Sequence, residues 1–318
     1  MHAYPILTQH IAHSAWKFNA STSIKVQQLK GHLTVRVEGV YILRHFAKLS
    51  SCVMTTHDDL QYSGQRNMAG TIGNLRVHVF EDRVEAARRA GGDIARCLSD
   101  ARKRGRNVLF LSSGGSSLAI LDFIPYEVLG GHLTVGVLDE RYDRGEDNNF
   151  VQLSRTGFYR KALAAGAGFV DTSVKAGQTD EALADHFESE LREWRRTNPD
   201  GEIVATIGIG PDGHTSGIMP FPEDEVRFEA LFNAERWVVA YDASGKSPHP
   251  LRVTTTLTFL RLISRAFVFA CGREKAGALR RMQEERPPAE VPAAVLKELR
   301  GDLYVDAELS GVFPACWD

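Results

Sequence analysis

From residue 75 onward the chain alternates short apolar runs with stretches of helical period, and this alternation restricts the fold more than any other property of the sequence. Leu75-Arg76-Val77-His78-Val79-Phe80 alternates as a strand does, and residues 83–104 then repeat apolar side chains at helical spacing. Asn107-Val108-Leu109-Phe110-Leu111 is an apolar run closed off by polar and glycine residues, the pattern of a strand buried on both faces. Further strands are expected at 133–138, 203–207, 237–241, 266–270 and 303–305, with helices at 181–196, 256–264, 275–284 and 289–299. Strands that alternate with helices imply an α/β fold, a mainly parallel sheet with helices on both faces. Residues 68–318 contain no repeat or linker, so a single domain is expected there.

Composition narrows the function classes. A net charge of −2 over 318 residues leaves no basic excess for tracking nucleic acid, and no apolar run is long enough to span a membrane. Cys52, Cys97, Cys271 and Cys316 are widely separated and form no CxxC pair, which argues against zinc and redox dithiol sites and fits a reducing cytoplasm. The charge is an average of two unlike segments. Residues 1–67 carry +4, six histidines and only three acidic residues, whereas residues 68–318 carry −6. Residues 1–67 show neither the helical period of a transit peptide nor the apolar stretch of a secretory signal. They are expected to be a disordered extension, or sequence upstream of a functional start at Met68. Their histidines are irregularly spaced and lack carboxylate or cysteine partners at metal-ligand spacing.

Parallel sheets bind ligands at the carboxyl ends of their strands, and four segments at such positions are unusual. Ser112-Ser113-Gly114-Gly115-Ser116-Ser117 follows the strand ending at Leu111 and precedes an apolar, helix-like run. Glycine allows close backbone approach and a helix start favours an anion, so the segment reads as a phosphate cradle or, equally, as a turn that caps a helix. It is neither a Walker loop nor a GxGxxG fingerprint. Asp139-Glu140-Arg141, followed by Asp147-Asn148-Asn149, ends the next strand; its charges either solvate a loop or present Arg141 to a phosphate or an oxyanion. Gly208-Ile209-Gly210-Pro211-Asp212-Gly213-His214-Thr215-Ser216 sets Asp212 and His214 two residues apart in a glycine-rich turn, and histidine suits proton transfer near neutral pH. The fourth segment comprises Arg252-Val253-Thr254-Thr255-Thr256 and, after another strand, Cys271-Gly272-Arg273-Glu274-Lys275-Ala276. Lys275 there opposes the dipole of the helix it begins, which a bound anion would explain.

In this order the motifs resemble the 6-phosphogluconolactonase family, which is related to the glucosamine-6-phosphate deaminases. The resemblance covers residues 75 to about 310 and excludes residues 1–67. It implies a Rossmann-like fold and a carboxylic ester hydrolase of the oxidative pentose phosphate pathway that converts 6-phospho-D-glucono-1,5-lactone to 6-phosphogluconate without metal or cofactor. It implies His214 as the base that activates water, Asp212 as its orienting partner and Arg141 as the oxyanion's countercharge. Ser113, Gly114, Gly115, Ser116, Ser117, Asp139, Arg252 and Lys275 then bind the substrate and its phosphate. The expected partner is a small sugar phosphate, not nucleic acid or membrane, and the expected state a monomer or small homo-oligomer. Deaminases carry Asp-Glu-Tyr in place of Asp139-Glu140-Arg141 and an Asn-Glu pair after the histidine, which this chain lacks, so the lactonase branch is favoured. Lactonases continue Thr-Ala-Ser-Leu-Phe-Pro where this chain reads Thr215-Ser216-Gly217-Ile218-Met219-Pro220. The glycine is expected to remove a hydroxyl and loosen the loop. The alternatives are a sugar-phosphate isomerase or deaminase and a non-catalytic sugar-phosphate-binding module.

Overall fold

A computed structural model describes residues 23–29, 32–38 and 68–314. The chain divides between Gly64 and Gln65 into two units. In the first, β1 (Ser23–Leu29) and β2 (His32–Glu38) pair as an antiparallel ribbon with Ser23 opposite Glu38, a regular element where little order was expected. The rest of residues 1–67, with Cys52 and five of the six histidines, lies outside the described residues, as does Cys316.

The second unit is built on an eight-stranded sheet. In chain order its strands are β3 (Met68–Ile72), β4 (Leu75–Phe80), β5 (Val108–Ser112) and β6 (Leu133–Val137), then, after β7 (Asp139–Arg141), β8 (Gly168–Phe169) and β9 (Glu202–Gly208). β10 (Val238–Asp242) and β11 (Leu251–Thr255) precede the last two strands of the large sheet, β12 (Arg265–Phe269) and β13 (Gly301–Asp306). The order across the sheet is β3-β4-β13-β12-β9-β5-β6-β8, and every pairing except β3 with β4 is parallel. The helices are α1 (Arg83–Lys103), α2 (Asn149–Ser154), α3 (Gly157–Ala164), α4 (Asp180–Thr197), α5 (Glu225–Phe232), α6 (Leu257–Leu260) and α7 (Ala276–Gln283).

Local chemistry accounts for the long helices. Asp82 caps α1 by accepting from the Glu85 N–H at 2.8 Å, and Arg102 and Lys103 favour the dipole at its other end. Thr179 caps α4 in the same way, accepting from the Ala182 N–H at 3.1 Å. Each helix buries an apolar stripe against one sheet face. Ile94 and Leu98 of α1 share a layer with Val108 and Phe110 of β5, whereas Phe187 and Leu191 of α4 share the opposite layer with Leu109 and Leu111. A strand with both faces covered must be apolar throughout, which is why β5 is legible as an unbroken run.

Several expected elements differ. The strand expected at 237–241 is β10, Val238–Asp242, which belongs to a separate antiparallel sheet of order β10-β11-β7. The Arg252 segment, expected as a loop before a helix, is β11, the central strand of that sheet. The helix expected over 256–264 is reduced to α6, because the Ser264 N–H leaves the helix to bond Ile203 O. The helix expected over 289–299 is a 3₁₀ helix, Pro292–Glu298, whose Ala293 N–H is given to Gly213 O at 3.0 Å. The helix-like run after the serine-glycine loop is also 3₁₀, Gly115–Phe123. Among the described residues no helix is long and apolar enough to cross a membrane.

Candidate active site

Sheet order assembles the site. β12, β9, β5 and β6 are neighbours and parallel, so the segments that follow them, carrying Lys275, His214, the serine-glycine loop and Asp139, emerge side by side. Distant motifs thereby converge at one edge of the sheet.

The glycine-rich segment after β9 is a closed turn. The Gly210 N–H bonds His214 O at 2.8 Å and the Gly213 N–H bonds Gly210 O at 3.0 Å. His214 Nδ1 lies 2.5 Å from Asp212 Oδ1, and the His214 backbone N–H donates to the same oxygen at 3.2 Å. A Cβ on Gly210 would collide with the His214 ring, so glycine there leaves the imidazole room to lie against the turn. Burial acts to raise the Asp212 pKa, but the hydrogen bonds and charge of His214 outweigh it and hold the carboxyl below its ordinary value. An ionised Asp212 accepts a hydrogen bond from the His214 Nδ1–H and leaves Nε2 free as a base. Arg281 fixes the turn from outside by donating to Pro211 O at 3.2 Å.

The expected phosphate loop lies against this turn. Ser113 Oγ accepts from the Gly208 N–H at 3.3 Å, Thr215 Oγ1 donates to Gly208 O at 2.8 Å, and Ser117 Oγ donates to Gly114 O at 3.3 Å. Gly115, at φ +65°, and Ser116 are exposed, leaving their backbone open to a ligand. Lys275 is the N-cap of α7, and its ammonium makes no hydrogen bond or ion pair among the described residues. Burial lowers its pKa, with Arg83 acting the same way and the Glu274 and Asp212 carboxylates opposing, which places the ammonium within the field of the histidine's partner.

The Asp-Glu-Arg strand supplies three side chains with three different surroundings. Asp139 is 5% exposed, and its carboxylate is paired with the 6%-exposed Arg252. Asp139, expected as a substrate ligand, holds Arg252 in place. Glu140 is fully buried and accepts from the Asn149 and Phe150 N–H groups at 2.7 and 2.8 Å and from Thr172 Oγ1 at 2.6 Å, which anchors the start of α2. Burial pushes its carboxyl up to about 8 against those hydrogen bonds. Arg141 faces Arg252 directly across the β7–β11 pair, a repulsive cross-strand arrangement. Both arginines have a buried Nε without a partner, as do Ser216 Oγ and Asn149 Oδ1. Three of these four atoms are donors, so the region around the Asp139–Arg252 pair can offer hydrogen bonds to an oxygen-rich anion.

Asn149, read in the sequence with the Asp-Glu-Arg segment but assigned no role there, links these parts. Its Nδ2 donates to Asp139 O at 2.9 Å, its N–H is held by Glu140, and its side chain fills the space a Cβ on Gly114 would need. Tyr241, whose pKa burial raises, lies within the fields of Arg252, Asp139 and Asp212 and so connects the two halves of the site.

The Ser216-Gly217 departure is corrected by the geometry. Ser216 and Gly217 have φ of +47° and +70°, and the Ile218 N–H bonds Thr215 O at 2.8 Å, the pattern of a tight two-residue hairpin turn. Tyr241 Oη donates to Gly217 O at 2.5 Å and Thr254 Oγ1 donates to Ser216 O. A Cβ on Gly217 would lie 2.7 Å from Asp139 Oδ2. Glycine therefore closes the loop onto the Asp139–Arg252 pair; it does not loosen it.

The fold and site define an α/β protein with a histidine–aspartate dyad and a group of undersatisfied cations at the carboxyl ends of its strands. The family model for glucosamine-6-phosphate isomerases/6-phosphogluconolactonase matches residues 81–305, and the chain belongs to that family. The chain is 29% identical to the 6-phosphogluconolactonase of Rattus norvegicus, over 66% of this chain and 80% of that protein, and 27% identical to that of Homo sapiens, over 65% and 79%. Its fold is similar to that of a 6-phosphogluconolactonase from Shewanella baltica, with a TM-score of 0.63 and 20% identity over 75% of this chain and all of the other. It is also similar to a monomeric glucosamine-6-phosphate deaminase, with a TM-score of 0.58 and 15% identity over 74% and 99% of the two chains.

Proposed function

We propose that the chain hydrolyses 6-phospho-D-glucono-1,5-lactone to 6-phosphogluconate, in the cytoplasm and within the oxidative pentose phosphate pathway. The observation that carries this reading is the Asp212–His214 pair, in a chain whose Arg141 forms no ion pair among the described residues. In this reading His214 Nε2 takes a proton from water as the water oxygen bonds C1 of the lactone. The carbonyl electrons move onto the oxygen, and Arg141 stabilises that oxyanion. As the carbonyl re-forms, the bond from C1 to the ring oxygen breaks and His214 returns the proton to the departing oxygen. Asp212 keeps the imidazole in the required tautomer and offsets the charge it gains. The phosphate is assigned to the open backbone of Gly114–Ser116 and the ammonium of Lys275, with Arg252, held by Asp139, as a further countercharge.

The test is lactone hydrolysis, corrected for spontaneous opening, measured beside ammonia release from glucosamine 6-phosphate. His214→Ala should lower lactone turnover by roughly 10²–10⁴-fold. Deamination in place of hydrolysis, or near-normal turnover in the variant, would overturn the assignment. Lys275→Ala should raise KM more than it lowers kcat.

A further inference from the structure

The amino ends of the strands, opposite the active-site loops, leave a cavity of about 410 Å³ between the sheet and α1. A sheet face covered by a helix is ordinarily apolar, and at these strand ends it is charged. Asp302, the second residue of β13, is 1% exposed, and its carboxylate gathers cations from both flanking strands. Arg76 of β4 donates to it twice, at 2.8 and 3.0 Å, His78 Nε2 lies 2.8 Å away, and Arg265 of β12 completes the set. The α1 wall facing this floor is polar as well. Asp93 accepts from Tyr304 Oη at 2.7 Å and pairs with Arg96, while Glu202 on β9 is taken by Arg104 at 2.7 Å.

The charges of this cavity do not cancel. Five arginines line it against four carboxylates, and two of those arginines share the single Asp302. The Arg300 side chain makes no hydrogen bond or ion pair among the described residues. Such networks stabilise a fold no better than apolar packing of the same volume, so stability alone does not explain one placed between a sheet and its covering helix. The volume is that of a small-metabolite site. The strands separate the cavity from the catalytic loops by five or six residues, roughly 17 Å.

We propose that this cavity is a second binding site, distinct from the catalytic centre, for a small metabolite bearing an oxyanion, held by Arg76, Arg265 and Arg300. Guanidinium forks suit phosphate and carboxylate alike, so the shared chemistry is a multivalent oxyanion.

The test is calorimetric titration of the full chain with inorganic phosphate and, separately, with citrate. Lys275→Ala weakens the catalytic phosphate site, and the proposal expects saturable binding at the second site to persist with unchanged affinity in that background. Adding Arg300→Ala should then weaken the remaining site about tenfold, as expected for loss of one charge-assisted contact. Arg300→Ala alone should leave lactone hydrolysis unchanged. Arg300 is exposed and unpaired, so this variant does not threaten folding; Arg265→Lys is a second probe that keeps the charge and loses the fork. Displacement of phosphate by citrate identifies the ligand class as polycarboxylate, and failure to displace it identifies a phosphoryl group. Phosphate binding abolished by Lys275→Ala, or residual binding indifferent to both Arg300→Ala and Arg265→Lys, overturns the proposal.

Discussion

Replacing Asp212 by asparagine separates the two roles assigned to that carboxylate, and the structure sets how much each should contribute. One oxygen, Oδ1, accepts from both the His214 ring at 2.5 Å and the His214 backbone N–H at 3.2 Å. The backbone donor forces an asparagine to present its carbonyl oxygen at that place, so the ring still donates from Nδ1 and the tautomer is preserved. What disappears is the negative charge beside an imidazolium that forms during the reaction. Unit charges about 4 Å apart interact by ~1 kcal/mol in water and ~4 kcal/mol at an effective dielectric of 20. The His214 and Asp212 side chains are 34% and 44% exposed, which puts the pair nearer the aqueous end, at about 1–2 kcal/mol. Asp212→Asn should therefore lower kcat by about 5- to 30-fold with little change in KM. Asp212→Ala removes the orienting acceptor too and should cost roughly tenfold more. Steady-state lactone hydrolysis, with the spontaneous rate subtracted, reads both. Equal losses in the two variants would show that the amide does not hold the tautomer, and a wild-type rate in Asp212→Asn would remove the dyad from the mechanism.

Other substitutions test the surrounding structure. Asp139→Ala strands the buried Arg252 guanidinium and should cost about 3–5 kcal/mol in urea denaturation; a loss below about 1 kcal/mol would mean that Arg252 finds water or another partner. Gly217→Ala forces a side chain into positive φ and onto Asp139, and should destabilise the protein by about 2–4 kcal/mol while also lowering activity; a neutral effect would contradict the closed turn. For Asp302, burial acts to raise the pKa, but His78, Arg76 and Arg265 overcome it and bring the group to about 2. Because the folded pKa lies below the ordinary value of 3.8, its contribution is complete above about pH 4 and fades as pH falls toward 2. The shift corresponds to about 2 kcal/mol, and unfolding followed from pH 5 to pH 2 should show a shallower acid dependence in Asp302→Asn than in the parent chain.

The large sheet was legible because burial on both faces writes each parallel strand as an apolar run, and six of the seven expected strands lie in it. The small antiparallel sheet was not, since β7 is three charged residues, and β11 contains an arginine buried by its pairing with Asp139. Hydropathy reads such residues as loop, and the compensation that permits their burial comes from 113 positions away. The site divides along the same line. Asp212 and His214 were visible because their partners lie within one turn, and Lys275 because it opposes a local dipole. The Asp147-Asn148-Asn149 run is visible in the sequence, but the role of Asn149 is not, because it joins the Gly114 loop to Asp139 and neither contact leaves a periodic or local mark.

The Ser216-Gly217 pair shows why a local departure cannot be weighed locally. In the sequence a glycine beside the proposed base suggests a slacker loop and a lost hydroxyl. In the fold, Gly217 is the residue that lets the turn descend onto the Asp139–Arg252 pair, and the hydroxyl stands one position earlier, buried on Ser216 without a partner. Strain at the positive φ of Ser216 is tolerated because Thr254 and Tyr241 hold both turn carbonyls. Those two anchors come from β11 and β10, the strands that pattern alone misplaced. The small sheet thus fixes both Arg252 and the turn beside His214, so the least legible part of the fold positions the most legible part of the site.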